Sequence, residues 1–185
     1  MGAEGTALLA IDLQNGIFAR PQSLVHDADG VLSRVDALLR AAASAGVPVV
    51  FVQDDAGPGI WQPETEDWEI HPALTRPPQA TYLRKTYGDA FRATGLDGTL
   101  GEIDVAELVV VGAMTDFSVR STLQRALLRG YSVTLVSDAH STLDAPDGTA
   151  EEHIGTLNAE TAAAGRRGLP VRALPAAEAV SALVS

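Results

Sequence analysis

Four short and almost uninterrupted apolar runs constrain this chain most: the segment from Ala7 to about Asp12, VVFVQ at 49–53, ELVVVG at 107–112 and YSVTLVSD at 131–138. A strand with one face in water alternates polar and apolar residues. A run this uniformly apolar has to be covered on both faces, as in a parallel sheet layered between helices. The intervening segments supply those helices. In VLSRVDALLRAAASAG the residues Val31, Val35, Leu38, Leu39 and Ala42 recur at helical spacing, and Gly46 ends the pattern. SVRSTLQRALLRG predicts a second helix ending at Gly130, residues 149–164 a third, and the segment after Ala176 a terminal one. A short helix is expected within GDAFRATGLDGTLGEID, and two weaker strands at TYLRK (81–85) and Val171–Leu174. Six strands alternating with helices and joined by right-handed crossovers give a mostly parallel sheet flanked by helices, an α/β domain.

At 185 residues the chain has the length of one domain of roughly 100–200 residues, and neither an internal repeat nor a linker divides it, so residues 1–185 read as a single domain. Residues 54–80, rich in Pro, Gly and acidic side chains, read as a long loop with one helical turn near Ala73; loops of this length usually cover or line binding sites.

The formal charge of −11 argues against nucleic acid as a partner, because phosphate binding relies on clustered Lys and Arg. No apolar stretch has the length of a membrane helix and the N-terminus lacks a basic leader, so a cytoplasmic protein with no membrane partner is expected. The absence of cysteine removes disulfides, zinc–thiolate sites and thiol catalysis.

In open α/β sheets ligands bind beyond the carboxyl ends of the strands. Asp12, Lys85, the Gly112–Ser118 turn and Asp138 all fall at or just past predicted strand ends, and are expected to converge. Each has an ordinary alternative: Asp12 as a turn residue with Asn15 and Gly16, Lys85 as a solvated strand end. Together, a carboxylate and an ammonium in a partly buried crevice hold each other's charge and can pass a proton to a substrate. Ser118 stands where a helix opens, where free N–H groups and the dipole favour negative charge. It could also be a helix cap, a role for which Thr115 and Asp116 compete.

None of His26, His71, His140 and His153 forms an i, i+4 metal-binding pair, and GAMTDFS matches neither phosphate-cradling pattern, so neither metal nor nucleotide cofactor is expected. His71 in the long loop is a candidate for lining a pocket, and His140 follows Asp138 closely enough to be near the site. Phe18, Trp61 and Trp68 are candidates for apolar pocket walls, though either Trp could instead anchor the loop.

ALLAIDLQNGIF, WEIHPAL, LRKTYGDAF, VVVGAMTDFSVRSTLQRALLRGYSVTLVSDAHST and EEHIGTLN, in this order, resemble the isochorismatase-like hydrolases, a superfamily that includes nicotinamidases and related cysteine hydrolases. The resemblance implies a six-stranded parallel sheet of Rossmann-like, three-layer form and a catalytic Asp–Lys–Cys triad at its carboxyl edge. Asp12 matches the general base, Lys85 the lysine, and Ser118 occupies the cysteine position. It further implies a cis peptide at Ala113–Met114, an oxyanion hole from the N–H groups of Met114 and Ser118, a small-molecule substrate and a homo-oligomer, dimer or tetramer. Nicotinamidases hold a metal through an Asp-x-His segment; this chain reads VQDDAGPG there, so no metal is expected.

The serine leaves three readings open. The chain could descend from amide, ureido or lactam hydrolases, its cysteine replaced by serine. It could belong to the non-thiol branch that cleaves a vinyl ether, with Asp12 as general acid. Or it could bind a small molecule or a partner without turnover.

Overall fold

The computed structural model describes residues 5–18, 25–55 and 57–184. Six strands, β1 Thr6–Ile11, β2 Val49–Asp54, β3 Thr81–Lys85, β4 Glu107–Ala113, β5 Ser132–Ser141 and β6 Val171–Leu174, form one sheet in the order β3-β2-β1-β4-β5-β6. All five pairings are parallel. The helices are α1 Asn15–Phe18, α2 Ala28–Ala45, α3 Leu96–Glu102, α4 Arg120–Leu128, α5 Ala150–Arg166 and α6 Ala176–Leu183.

The uniform apolarity of the strands has a simple cause. Alternate residues serve two separate cores: Leu8, Ala10, Val49, Phe51, Val109 and Val111 pack with α2 and α6, while Ala7, Leu9, Ile11, Val50, Val52, Leu108 and Val110 pack with residues of α3, α4 and α5. With both faces dry, the strands are mostly apolar up to their ends, and a buried polar side chain within one needs a hydrogen-bond partner, as Thr134 of β5 finds in Glu107. α2 buries Val31, Val35, Leu38, Leu39 and Ala42 and stops at Gly46, which takes a left-handed φ of 70° and returns its N–H to Ala42 O. α5 begins with a capping box between Thr149 and Glu152.

Several elements differ from the sequence expectation. The four-residue α1 occupies what reads as a turn. In the long loop Gly59–Trp61 is a 3-10 turn that was not expected, whereas near Ala73, where one turn is expected, a single turn closes with Leu74 N–H onto His71 O. β5 extends to Ser141: its register against β4 slips between Val110 and Gly112, so that Val110 faces Leu135 but Gly112 faces His140. The slip inserts a bulge, which apolar periodicity does not reveal. The helix expected from Ser118 starts instead as a π turn over Thr115–Val119, with α4 following it. Among the described residues no helix is long and apolar enough to cross a membrane.

Gly112 is where the sheet demands glycine. It sits beside Ile11 with a φ of 128°, and a Cβ there would lie 1.9 Å from Ile11 O. The contact fixes β4 against β1 at the point where the chain order of the strands reverses, which is where α/β folds open a crevice.

Candidate active site

The strand order delivers one polar side chain from each of four adjacent strands to that crevice. Lys85 ends β3, Asp54 ends β2, Asp12 follows β1, and Ser118 lies in the π turn after β4. All four are buried, Lys85, Asp12 and Ser118 at 2% exposure. Lys85 Nζ is 2.6 Å from Asp54 Oδ2, 2.8 Å from Asp12 Oδ2 and 3.2 Å from Ser118 Oγ. An ammonium carries three N–H donors, and this one has three acceptors.

Asp12 is set by its backbone as much as by its partners. Its φ is 49°, a left-handed value uncommon for a non-glycine residue, and its N–H donates to Val52 O at 2.8 Å. Oδ1 is buried without a hydrogen-bond partner among the described residues. Burial pushes the carboxyl up to about 6, against the opposing pull of Lys85, and the nearby Asp54 adds to the rise.

Asp54 is an addition to the residues expected from the sequence. In QDDAG it reads as the start of an acidic loop, yet it ends an apolar strand just as Asp12 does, and that signal was available. Gln14 is another such addition. Its amide clamps the Asp54 backbone from both sides, Nε2 donating to Asp54 O at 3.0 Å and Oε1 accepting Asp54 N–H at 2.8 Å. Trp68 Nε1 donates to the same carbonyl at 2.9 Å, and Gln53 Nε2 to Trp68 O at 3.0 Å.

Of the candidate pocket residues, Trp68 is thus a buried anchor of the long loop, with the Arg84 guanidinium over its ring. Phe18 is buried in the core with Leu13 and Ile17. Trp61 packs partly buried against that core. His71 is half-buried; its N–H meets Leu13 O at 2.9 Å, its Nδ1 accepts Ala73 N–H at 3.3 Å, and burial lowers its pKa. The loop's docking on Gly16 is close: Gly16 N–H donates to Asp67 O at 2.7 Å, and a Cβ on Gly16 would come within 2.9 Å of Asp67 Cβ.

Asp138 does not join the site. Its Oδ1 receives the Ala176 N–H at 2.7 Å at the start of α6, and its backbone carbonyl receives Arg34 Nε at 2.5 Å from α2. It lies within the lengthened β5 rather than at its end, so it is held among the helices of one face.

The Ala113–Met114 peptide is cis. In the turn that follows, Met114 O accepts the N–H groups of Phe117 at 3.1 Å and Val119 at 3.0 Å, a spacing that passes over Ser118. Widened turns of this kind occur often at functional sites. Two side chains from the end of β5 hold the turn: His140 Nδ1 is 2.9 Å from Thr115 Oγ1, and Thr142 Oγ1 donates to Asp116 Oδ1 at 2.5 Å.

The donor set does not fit a metal of the nicotinamidase kind. The Asp-x-His pattern is Asp54-Asp55-Ala56 in this chain, and Lys85 already occupies the Asp54 carboxylate. Among the described residues no group of three or more His, Asp or Glu side chains could hold a metal ion.

Residues 6–164 match the family model of the isochorismatase domain. A streptothricin hydrolase of Streptomyces noursei is 40% identical over 141 residues, which are 76% of this chain and 56% of that protein. The chain therefore spans little more than half the length of that relative. Nicotinamidase 3 of Arabidopsis thaliana is 29% identical over 154 residues, 75% of this chain and 74% of that one. A crystal structure of an isochorismatase family protein superimposes with a TM-score of 0.83 at 29% identity, covering 92% of this chain and 98% of that one.

Proposed function

Because the chain belongs to the isochorismatase family, we propose that it is a hydrolase cleaving a C–N bond of a small amide, ureido or lactam substrate, with Asp12, Lys85 and Ser118 as its catalytic residues. One observation carries this reading: all three Lys85 donors are engaged, two by carboxylates and one by Ser118, while Asp12 keeps one bare, buried oxygen. With Lys85 committed to these three contacts, Asp12 is the group that takes the proton. The relatives named for hydrolysis of streptothricin and of nicotinamide support the class of reaction.

In the reaction, Ser118 Oγ attacks the carbonyl carbon while its proton passes to Asp12. A C–O bond forms, and the carbonyl pair moves to oxygen, where the N–H groups of Met114 and Ser118 receive the charge. Collapse breaks the C–N bond, and Asp12 returns the proton to the leaving nitrogen. Water then attacks the acyl group, giving its proton to Asp12 and releasing Ser118, which recovers its hydrogen. No metal takes part.

A hydroxyl ionises far above the reference thiol pKa of about 8.5, so Asp12 must remove the Ser118 proton in concert with attack rather than beforehand. Ser118→Cys is accordingly expected to raise amide turnover by about tenfold or more and to make the protein sensitive to iodoacetamide. A Ser118→Cys protein inert across a panel of amides, ureides and lactams would count against the reading.

The serine also favours a second reading. A carboxyl raised to about 6 is partly protonated near neutrality and can act as general acid on a vinyl ether with no nucleophile at 118. Release of pyruvate from isochorismate by the natural chain, unchanged in Ser118→Ala, would support it over amide cleavage. Treating residues 1–185 as one cytoplasmic, homo-oligomeric hydrolase domain is part of the same proposal, and light scattering of the full chain tests the oligomer.

A further inference from the structure

The buried His140 takes no part in the chemistry above. It stands at the β5 bulge opposite Gly112, 1% exposed, between the turn and α5. Nδ1 is 2.9 Å from Thr115 Oγ1 and Nε2 is 3.1 Å from Asn158 Oδ1. The proton positions follow from the outer partner. Asn158 Nδ2 donates to Ser137 O at 2.8 Å, which turns Oδ1 toward the imidazole. Oδ1 only accepts, so Nε2 carries the ring hydrogen, Nδ1 is bare, and the Thr115 hydroxyl donates to it. Thr115 is wholly buried and follows Met114 directly. Its hydroxyl needs that acceptor, because an unpaired buried donor is costly.

We propose that His140 is a positioning residue, which as the Nε2–H tautomer ties α5 through Thr115 to the turn that presents Met114 N–H and Ser118. The proposal rests on the reading of that turn as the reacting centre, but its physical content is the order of the turn itself. Two hydrogen bonds link three residues, Asn158 on α5, His140 on β5 and Thr115 in the turn. They support the widened turn from behind, where the Met114 carbonyl already serves two N–H groups. Burial also keeps the imidazole neutral by lowering its pKa.

The test separates the two bonds. His140→Asn keeps an acceptor near the Nδ1 position for Thr115, whereas His140→Gln keeps a donor near the Nε2 position for Asn158 and loses the Thr115 link. Thr115→Val removes that link from the other side. In an amide-hydrolysis assay, His140→Asn is expected to hold kcat within about threefold, while His140→Gln and Thr115→Val lower kcat about tenfold or more with KM nearly unchanged. Equal losses in His140→Asn and His140→Gln at matched thermal stability would overturn the proposal.

Two readouts need no substrate, so they decide the matter even if the amidase reading fails. Nitrogen-15 spectra of labelled histidine at neutral pH should show one imidazole, lost in His140→Asn, in the neutral Nε2–H form; an Nδ1–H or doubly protonated ring overturns it. Hydrogen exchange at the Val119 amide should quicken by about tenfold or more in His140→Gln and Thr115→Val and stay near the natural rate in His140→Asn. Unchanged protection in all three would equally overturn it.

Discussion

Lys85 has no freedom left: three donors meet three acceptors on three other strands or turns, and the side chain is wholly buried. Its removal therefore exposes the chemistry of what remains. Lys85→Met leaves Asp12 and Asp54 buried without their cation and is expected to cost about 3–5 kcal/mol of stability at neutral pH. Protonation relieves that repulsion, so the deficit should shrink as the pH falls toward 5; urea titrations at pH 5 and 7.5 measure it. The acid limb of activity belongs to the same three groups. If Asp12 must be ionised to accept the Ser118 proton, kcat/KM falls as the pH drops through about 6. Asp54 contributes to holding that value up, so Asp54→Asn should move the limb to lower pH. The sign for stability is opposite to that of a salt-bridged surface acid. A carboxyl with a raised folded pKa contributes stability below its unfolded value, near 3.8, and loses it as the pH rises through about 6. Stability of the natural chain relative to Asp12→Asn should therefore decline across that window.

Among the elements, β1 and β4 were legible from their continuous apolar runs, the first ending abruptly in Asp12 and the second running into the Gly112 turn. The requirement at Gly112 is physical, a positive φ together with the approach of Ile11 O. Gly112→Ala is expected to cost about 3 kcal/mol or more, or to prevent folding, which thermal denaturation of the soluble fraction reads directly. β5 was only partly legible: its bulge moves His140 from a position just past a strand to a paired place opposite Gly112, and a slip in register leaves no mark on hydrophobic spacing. The docking of the long loop was equally hidden. A Gly16→Ala substitution would bring a Cβ against Asp67, and it should loosen residues 57–80 enough to speed their cleavage by protease while leaving the sheet intact.

Across the whole molecule, the sheet order β3-β2-β1-β4 turns four residues spread from 12 to 118 into neighbours. The sequence by itself determined the layered α/β architecture, since strands apolar on both faces can only be buried between helices. It also put Asp12 and Lys85 at strand ends, where the apolar run of β1 and the short TYLRK segment stop. The tertiary structure alone decided that Asp54 belongs with them and Asp138 does not, that the helix before Arg120 opens as a π turn, and that His140 reaches Thr115. Those outcomes depend on which strands are neighbours, on their register and on the partners left for each buried polar group. Distances between strands enter none of the local patterns along the chain.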